Sequence, residues 1–158
     1  EQACPFNALY WDFLARHEAV LKLKEVIQPE IVMIGDSITH LWGGEPTEPN
    51  GNKGADSWKS LFGNRPVLNL GFGWDRTQNV LWRIQHGELQ GLHPRYAVIH
   101  IGTNNLAHTT NARENTPAEI AEVVAFLAGP HSSVLHGAVI DASMGLGVRP
   151  GRMTEFEP

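Results

Sequence analysis

A single cysteine, Cys4, serves the whole 158-residue chain, so an intrachain disulfide and a CxxC metal site are both excluded. Basic clusters are missing as well: 12 Lys+Arg stand against 17 Asp+Glu, a formal charge of −5, with no Lys/Arg run. That balance offers no electrostatic footprint to a nucleic-acid backbone or an anionic membrane surface, and no nucleic-acid partner is expected. No apolar run approaches the ~20 residues a membrane helix needs; even Tyr96-Ala97-Val98-Ile99-His100-Ile101 is broken by His100. An initiator Met is also lacking. Glu1 in its place suggests that a signal peptide or tag has been removed, which leaves localisation open.

What the chain does have is a globular composition, 42% hydrophobic and 18% charged. Its length suits one domain, which can bury roughly 70% of its unfolded surface. No internal repeat or domain-sized linker divides it, so residues 1–158 are read as one domain. Leu9, Phe13, Leu14, Val20, Leu21 and Ile27 recur at helical spacing through residues 7–27, and Pro29 ends that amphipathic lead-in helix. Ile31-Val32-Met33-Ile34, Val67-Leu68-Asn69-Leu70 and Ala97-Val98-Ile99-His100-Ile101 read as strands buried on both faces, each closed by a glycine. Helices are expected at about 76–86, with Asp75 as N-cap, and at 117–128, where Thr116-Pro117-Ala118-Glu119 combines a capping box with Pro at the first helical position. Strands alternating with helices predict a doubly wound parallel α/β sheet, whose ligands bind at the carboxyl ends of the strands.

Residues 43–57 form a long turn-rich loop, readable as a lid or binding loop and equally as a solvated insertion. Val134 to Ile140 reads as a fourth strand, whereas Gly145 to Pro158 has little apolar content and no clear period.

Three strand ends carry small polar residues: Gly35-Asp36-Ser37, Gly71-Phe72-Gly73-Trp74-Asp75 and Gly102-Thr103-Asn104-Asn105. A serine at the tip of a buried strand projects its hydroxyl into the crevice while its own N–H points at a developing oxyanion. A second N–H from the glycine turn and an Asn amide complete three converging donors. His40, three residues after Ser37, falls in the helix expected there and is read as a surface residue or a support to the site. His100 reads as a satisfied core histidine, and Trp82 as packing.

Together the blocks Ile34-Gly35-Asp36-Ser37-Ile38-Thr39-His40, Asn69 to Thr77 running on to Arg83, and Ile101-Gly102-Thr103-Asn104-Asn105 resemble those of the SGNH (GDSL) hydrolases over about residues 10–127. The second block is similar to that of the platelet-activating-factor acetylhydrolase catalytic subunits and their bacterial relatives. The resemblance implies a three-layer α/β/α sandwich of flavodoxin-like type and a serine esterase acting through an acyl-enzyme on small acyl esters, such as acetyl esters, of lipid or carbohydrate. It implies Ser37 as nucleophile, with Ser37, Trp74 and Asn104 forming the oxyanion hole, and it calls for no cofactor or metal. Trp74 stands where the family has a glycine; an ordinary backbone there is expected, with the indole walling the acyl pocket.

The family's base is a His preceded three residues earlier by Asp, near the C-terminus. No Asp or Glu in this chain has His at the third position after it. His136 with Asp141 is a substitute pair whose spacing on a strand sends the two to opposite faces. Only 54 residues (158 − 104) follow Asn104, so the last strand and helix are expected to be missing and residues 129–158 to be a divergent or truncated tail. The competing expectation is therefore a catalytically impaired SGNH-like fragment that binds esters or sugars or assists assembly. A homo-oligomer is a further expectation, from subunits that pair in the family and from an exposed sheet edge.

Overall fold

The structure, a computed structural model, describes residues 13–48, 51–108, 118, 120–123, 125–126 and 138–141. The lead-in segment forms helix α1 over Phe13–Leu23; its expected first turns lie outside the described residues. The three Gly-terminated runs form strands β1 (Ile31–Gly35), β2 (Val67–Gly71) and β3 (Tyr96–His100). A fourth, β4, spans Ala138–Asp141, within the expected region and one residue beyond it. All pair in parallel in the order β2-β1-β3-β4, the first four positions of a flavodoxin-like sheet.

Alternation along the strands sends side chains to two cores. Val32, Ile34, Leu68, Leu70, Ala97 and Ile99 pack on one face with Val20 of α1, with Val80 of the helix α4 (Thr77–Arg83), and with Ile120 and Val123. Ile31, Met33 and Val67 pack on the other with Phe62 of α3 (Ala55–Phe62), flanked by Trp42 of α2 (Ser37–Trp42) and by Trp58. Helices cover both faces, so the expected three-layer α/β/α arrangement is present. The helix expected at 117–128 appears as helical residues at 118, 120–123 and 125–126; its capping residues lie outside the described residues. Among the described residues, no helix is long and apolar enough to cross a membrane.

Two sequence expectations are corrected. Asp75 does not cap α4: Arg76 is the N-cap, its N–H bonded to Asn79 Oδ1 at 3.1 Å. The helix also stops being regular sooner than residue 86, passing at Ile84 into a π turn, Ile84–Glu88, where Gly87 takes φ +98°. That turn carries Glu88 into the interior. The 43–57 segment is neither a bare insertion nor wholly a loop. Asn69 N–H bonds to Glu45 O at 2.9 Å, laying the chain against β2, and α3 begins at Ala55.

Candidate active site

Ser37 is the first residue of α2, directly beyond the carboxyl end of β1, and is half-buried. Asp36 caps the helix with extended backbone, and its Oδ1 accepts the Ile38 N–H at 2.9 Å. Burial pushes the Asp36 carboxyl above its usual range, partly offset by that N–H. The helix sits so close to the sheet that a Cβ on Gly35 would meet Thr39 Oγ1 at 2.2 Å, and one on Gly71 would meet the His40 backbone nitrogen at 2.3 Å. Glycine closes these two strands because α2 occupies the space of a side chain. Buried Asn69 fastens the same corner: its Nδ2 donates to Thr39 O at 2.8 Å and Gly43 O at 2.6 Å, and its Oδ1 accepts from Gly71 N–H.

Beyond β2 the chain makes a tight turn, Phe72 to Asp75, in which Asp75 N–H reaches Phe72 O at 3.3 Å. Trp74, third in that turn, has φ +65°. The expectation of an ordinary backbone at Trp74 is thus overturned. A positive φ at this turn position is the type II pattern that favours glycine, so Trp74 holds a left-handed conformation costing about 1–3 kcal/mol. Its indole is 47% exposed.

The residues on either side of Trp74 are held firmly. Gly73 N–H donates to His40 Nδ1 at 3.1 Å. Asp75 is buried, with its Oδ2 at 2.9 Å from Arg83 Nε and 2.7 Å from another guanidinium nitrogen. Arg83, fully buried, also meets Glu88, lies 3.8 Å over the Phe72 ring centroid and donates to Leu70 O at 3.2 Å. Glu88 in turn contacts His17 Nδ1 at 2.8 Å. Burial pushes the Asp75 carboxyl up to about 7 against the pull of Arg83.

Asn104 belongs to α5 (Thr103–His108), the helix that follows β3. Its Nδ2 donates to Asp75 O at 2.8 Å. Next to it Asn105 accepts Thr77 N–H at 3.1 Å and donates to Thr77 Oγ1 at 2.8 Å, joining α5 to the start of α4. Because β1 lies between β2 and β3, with Gly35 in register with both Gly71 and His100, the fold brings the three sequence blocks to adjacent strand ends.

A family model described as GDSL-like Lipase/Acylhydrolase matches residues 33–156, which includes all three blocks. The chain belongs to the GDSL-like lipase/acylhydrolase family. Over 82 residues it is 40% identical to platelet-activating factor acetylhydrolase IB subunit alpha1 of Rattus norvegicus, covering 52% of this chain and 31% of that protein. Over 94 residues it is 34% identical to subunit alpha2 of the same species, covering 60% and 34% respectively. The match thus spans about a third of the length of these relatives. Among solved structures, AlinE4, an SGNH-hydrolase family esterase, aligns at TM-score 0.48 and 21% identity, covering 70% of this chain and 58% of that one.

Several residues around this GDSL-family site were missed or misread in the sequence. His40 is 4% exposed and so is not a surface residue. Its Nε2 lies 3.1 Å from Glu48 Oε2, and Glu48 also pairs with buried Arg16 at 2.9 Å, so the long loop is tied to the site's base. Burial, reinforced by Arg16 and opposed by Glu48, lowers the His40 pKa to about 4. His100 is half-buried at the end of β3, in register with Gly35 on one side and Asp141 on the other; His136 lies outside the described residues. Trp82 packs against Phe13 and His17 and stacks on His86 at 3.9 Å. It also lines, with Thr77, Gln78, Leu81, Gln85 and Glu122, a groove of about 420 Å³ beside α4.

Proposed function

We propose that this chain is a serine ester hydrolase that forms an acyl-enzyme with small acyl esters of lipid or carbohydrate. The supporting observation is the direct bond between Asn104 and the Phe72–Asp75 turn at the strand ends flanking Ser37. In this reading Ser37 Oγ attacks the ester carbonyl carbon. The negative charge forming on the carbonyl oxygen is taken up by the N–H groups of Ser37 and Trp74 and by the Asn104 amide hydrogen not given to Asp75. Collapse expels the alcohol and leaves the acyl group on Ser37, from which water releases it as the acid. Preorganised donors of this kind contribute about 3 kcal/mol each to the transition state.

The proton leaving Ser37 needs an acceptor, and the sequence holds no Asp-x-x-His. That favours a second reading, an ester-binding or assembly module whose nucleophile is slow or silent; loss of a triad member leaves a residual 10³–10⁴-fold catalysis over water. Rapid mixing with p-nitrophenyl acetate separates the two. The enzyme reading expects a p-nitrophenol burst that disappears in Ser37→Ala, and identical background release from both proteins overturns it.

A further inference from the structure

The turn carrying Trp74 is not adjacent in sequence to the serine whose chemistry it serves, yet one hydrogen bond spans the two. Gly73 N–H donates to Nδ1 of His40, a residue of the same short helix that begins with Ser37. His40 is enclosed on several sides. Gly71 abuts its backbone nitrogen, its own N–H bonds back to Asp36 O at 2.9 Å, and Nε2 faces Glu48. Because Nδ1 must accept from Gly73, the ring proton resides on Nε2, which lies 3.1 Å from Glu48 Oε2. Glu48 is itself fixed by Arg16, whose Nε donates to Gly71 O at 2.8 Å and whose Nη1 donates to Pro46 O at 3.0 Å. The imidazole's tautomer is therefore set by the Gly73 N–H, the Glu48 carboxylate lies beside its other nitrogen, and its acceptor is presented to the oxyanion turn.

From this geometry we infer that His40 is a positioning residue: through Nδ1 it holds the N–H of the Phe72–Gly73 peptide, and so fixes relative to Ser37 the turn whose next peptide, Gly73–Trp74, carries the Trp74 N–H. Trp74 increases the need for such a hold, because a bulky residue at φ +65° relaxes toward negative φ once its turn is released. Release of the Gly73 N–H frees the adjoining Gly73–Trp74 peptide to rotate, which would swing the Trp74 N–H away from the carbonyl oxygen bound at Ser37. The Arg83–Asp75 pair and Asn104 fasten the far side of the same turn, and the His40 side chain joins it to the nucleophile's helix. The inference rests on the esterase reading for its catalytic consequence, and on the Nδ1 contact alone for its structural one.

The two neutral amides that mimic the two ring nitrogens test it. His40→Asn places an acceptor near the Nδ1 position, whereas His40→Gln extends to the Nε2 position and leaves Gly73 N–H without its partner. Amide hydrogen exchange at Gly73 and the Ser37-dependent burst rate with p-nitrophenyl acetate are measured on the wild-type chain and both variants, with thermal unfolding as the stability control. The expected result is Gly73 protection kept in H40N and lost in H40Q. The acylation rate in H40N stays within about threefold of wild type. In H40Q it falls about tenfold to a hundredfold, at unchanged half-saturating ester and with a melting temperature like that of H40N. Equal protection and equal rates in the two variants would show that His40 only fills space and would overturn the inference. If the wild-type chain gives no Ser37-dependent burst, the esterase reading fails by that result alone, and the Gly73 exchange contrast still decides whether His40 holds the turn.

Discussion

The Asn104 amide donates to the main-chain carbonyl of Asp75 across 2.8 Å, joining the helix after β3 to the turn after β2 over the end of the strand between them. This bond fixes the amide plane, so the second amide hydrogen has one direction rather than several. It also makes Asn104 part of the support for the turn that holds Trp74.

Asn104→Ala is accordingly expected to reduce the Ser37-dependent acylation rate by about 10²–10³, the usual cost of one lost oxyanion donor. Chemical denaturation should show a loss of only about 1 kcal/mol from the broken bond to Asp75. Stopped-flow burst kinetics beside a urea titration check both. A rate loss no larger than the stability loss accounts for would remove Asn104 from the oxyanion site.

Two buried groups give pH dependences of opposite sign. His40 has its pKa lowered to about 4, so between about pH 4 and 6.5 the unfolded chain binds a proton that the folded chain does not; stability from this group is lost as pH falls. Asp75 is raised to about 7, so from its ordinary value near 3.8 upward the folded chain keeps a proton the unfolded chain releases; stability from this group is lost as pH rises. Relative to wild type, His40→Asn should gain stability as pH is lowered through that window, and Asp75→Asn should gain it as pH is raised. Melting temperatures in a buffer series read the two slopes; slopes of the same sign contradict the assignment.

Trp74→Gly removes a side chain from a left-handed backbone. The relief of about 1–3 kcal/mol is partly offset by the freedom glycine gains in the unfolded chain, about 0.4–1 kcal/mol. A modest net rise in stability is expected, together with acceptance of longer acyl chains as the indole is lost. A series of p-nitrophenyl esters from acetate to octanoate measures the second effect, and an unchanged chain-length profile argues against Trp74 as a pocket wall.

Arg83→Met leaves the carboxyls of Asp75 and Glu88 buried without their shared cation, and a loss of about 3–5 kcal/mol is expected. Adding Asp75→Asn and Glu88→Gln should recover much of it, because neutral amides need no buried counter-charge. Denaturation midpoints of the single and triple variants test this, and a triple variant no more stable than Arg83→Met refutes the electrostatic explanation.

The strands and their Gly ends were legible because a strand buried on both faces leaves a short continuous apolar run, and the glycines mark where α2 must approach the sheet. The blocks that follow those strands lie at adjacent strand ends for the same reason. What the sequence hid depends on contacts between distant residues. Asp75 has the composition of an N-cap, but Arg83, two turns along, draws its carboxylate inward and leaves the cap to Arg76. For His40 the sequence leaves a surface residue and a support to the site both open, since spacing along six residues does not say which side meets the sheet; burial removes the first. The bulk of Trp74 argues for an ordinary φ, whereas the turn's geometry, held at Gly73 and Asp75, overrides that preference.

The strand order has a consequence for how the molecule is made. β1 has as its neighbours β2 and β3, neither of which can reach it without a long stretch of intervening chain, so every pairing in the sheet closes a large loop. Folding is then governed by non-local contacts and should be slow for a chain of this size. During synthesis the Ser37 segment emerges first and the Asn104 segment well after it. Ser37 waits at the edge of an unfinished sheet, and Asn104 reaches its bond to Asp75 only as the second neighbour docks.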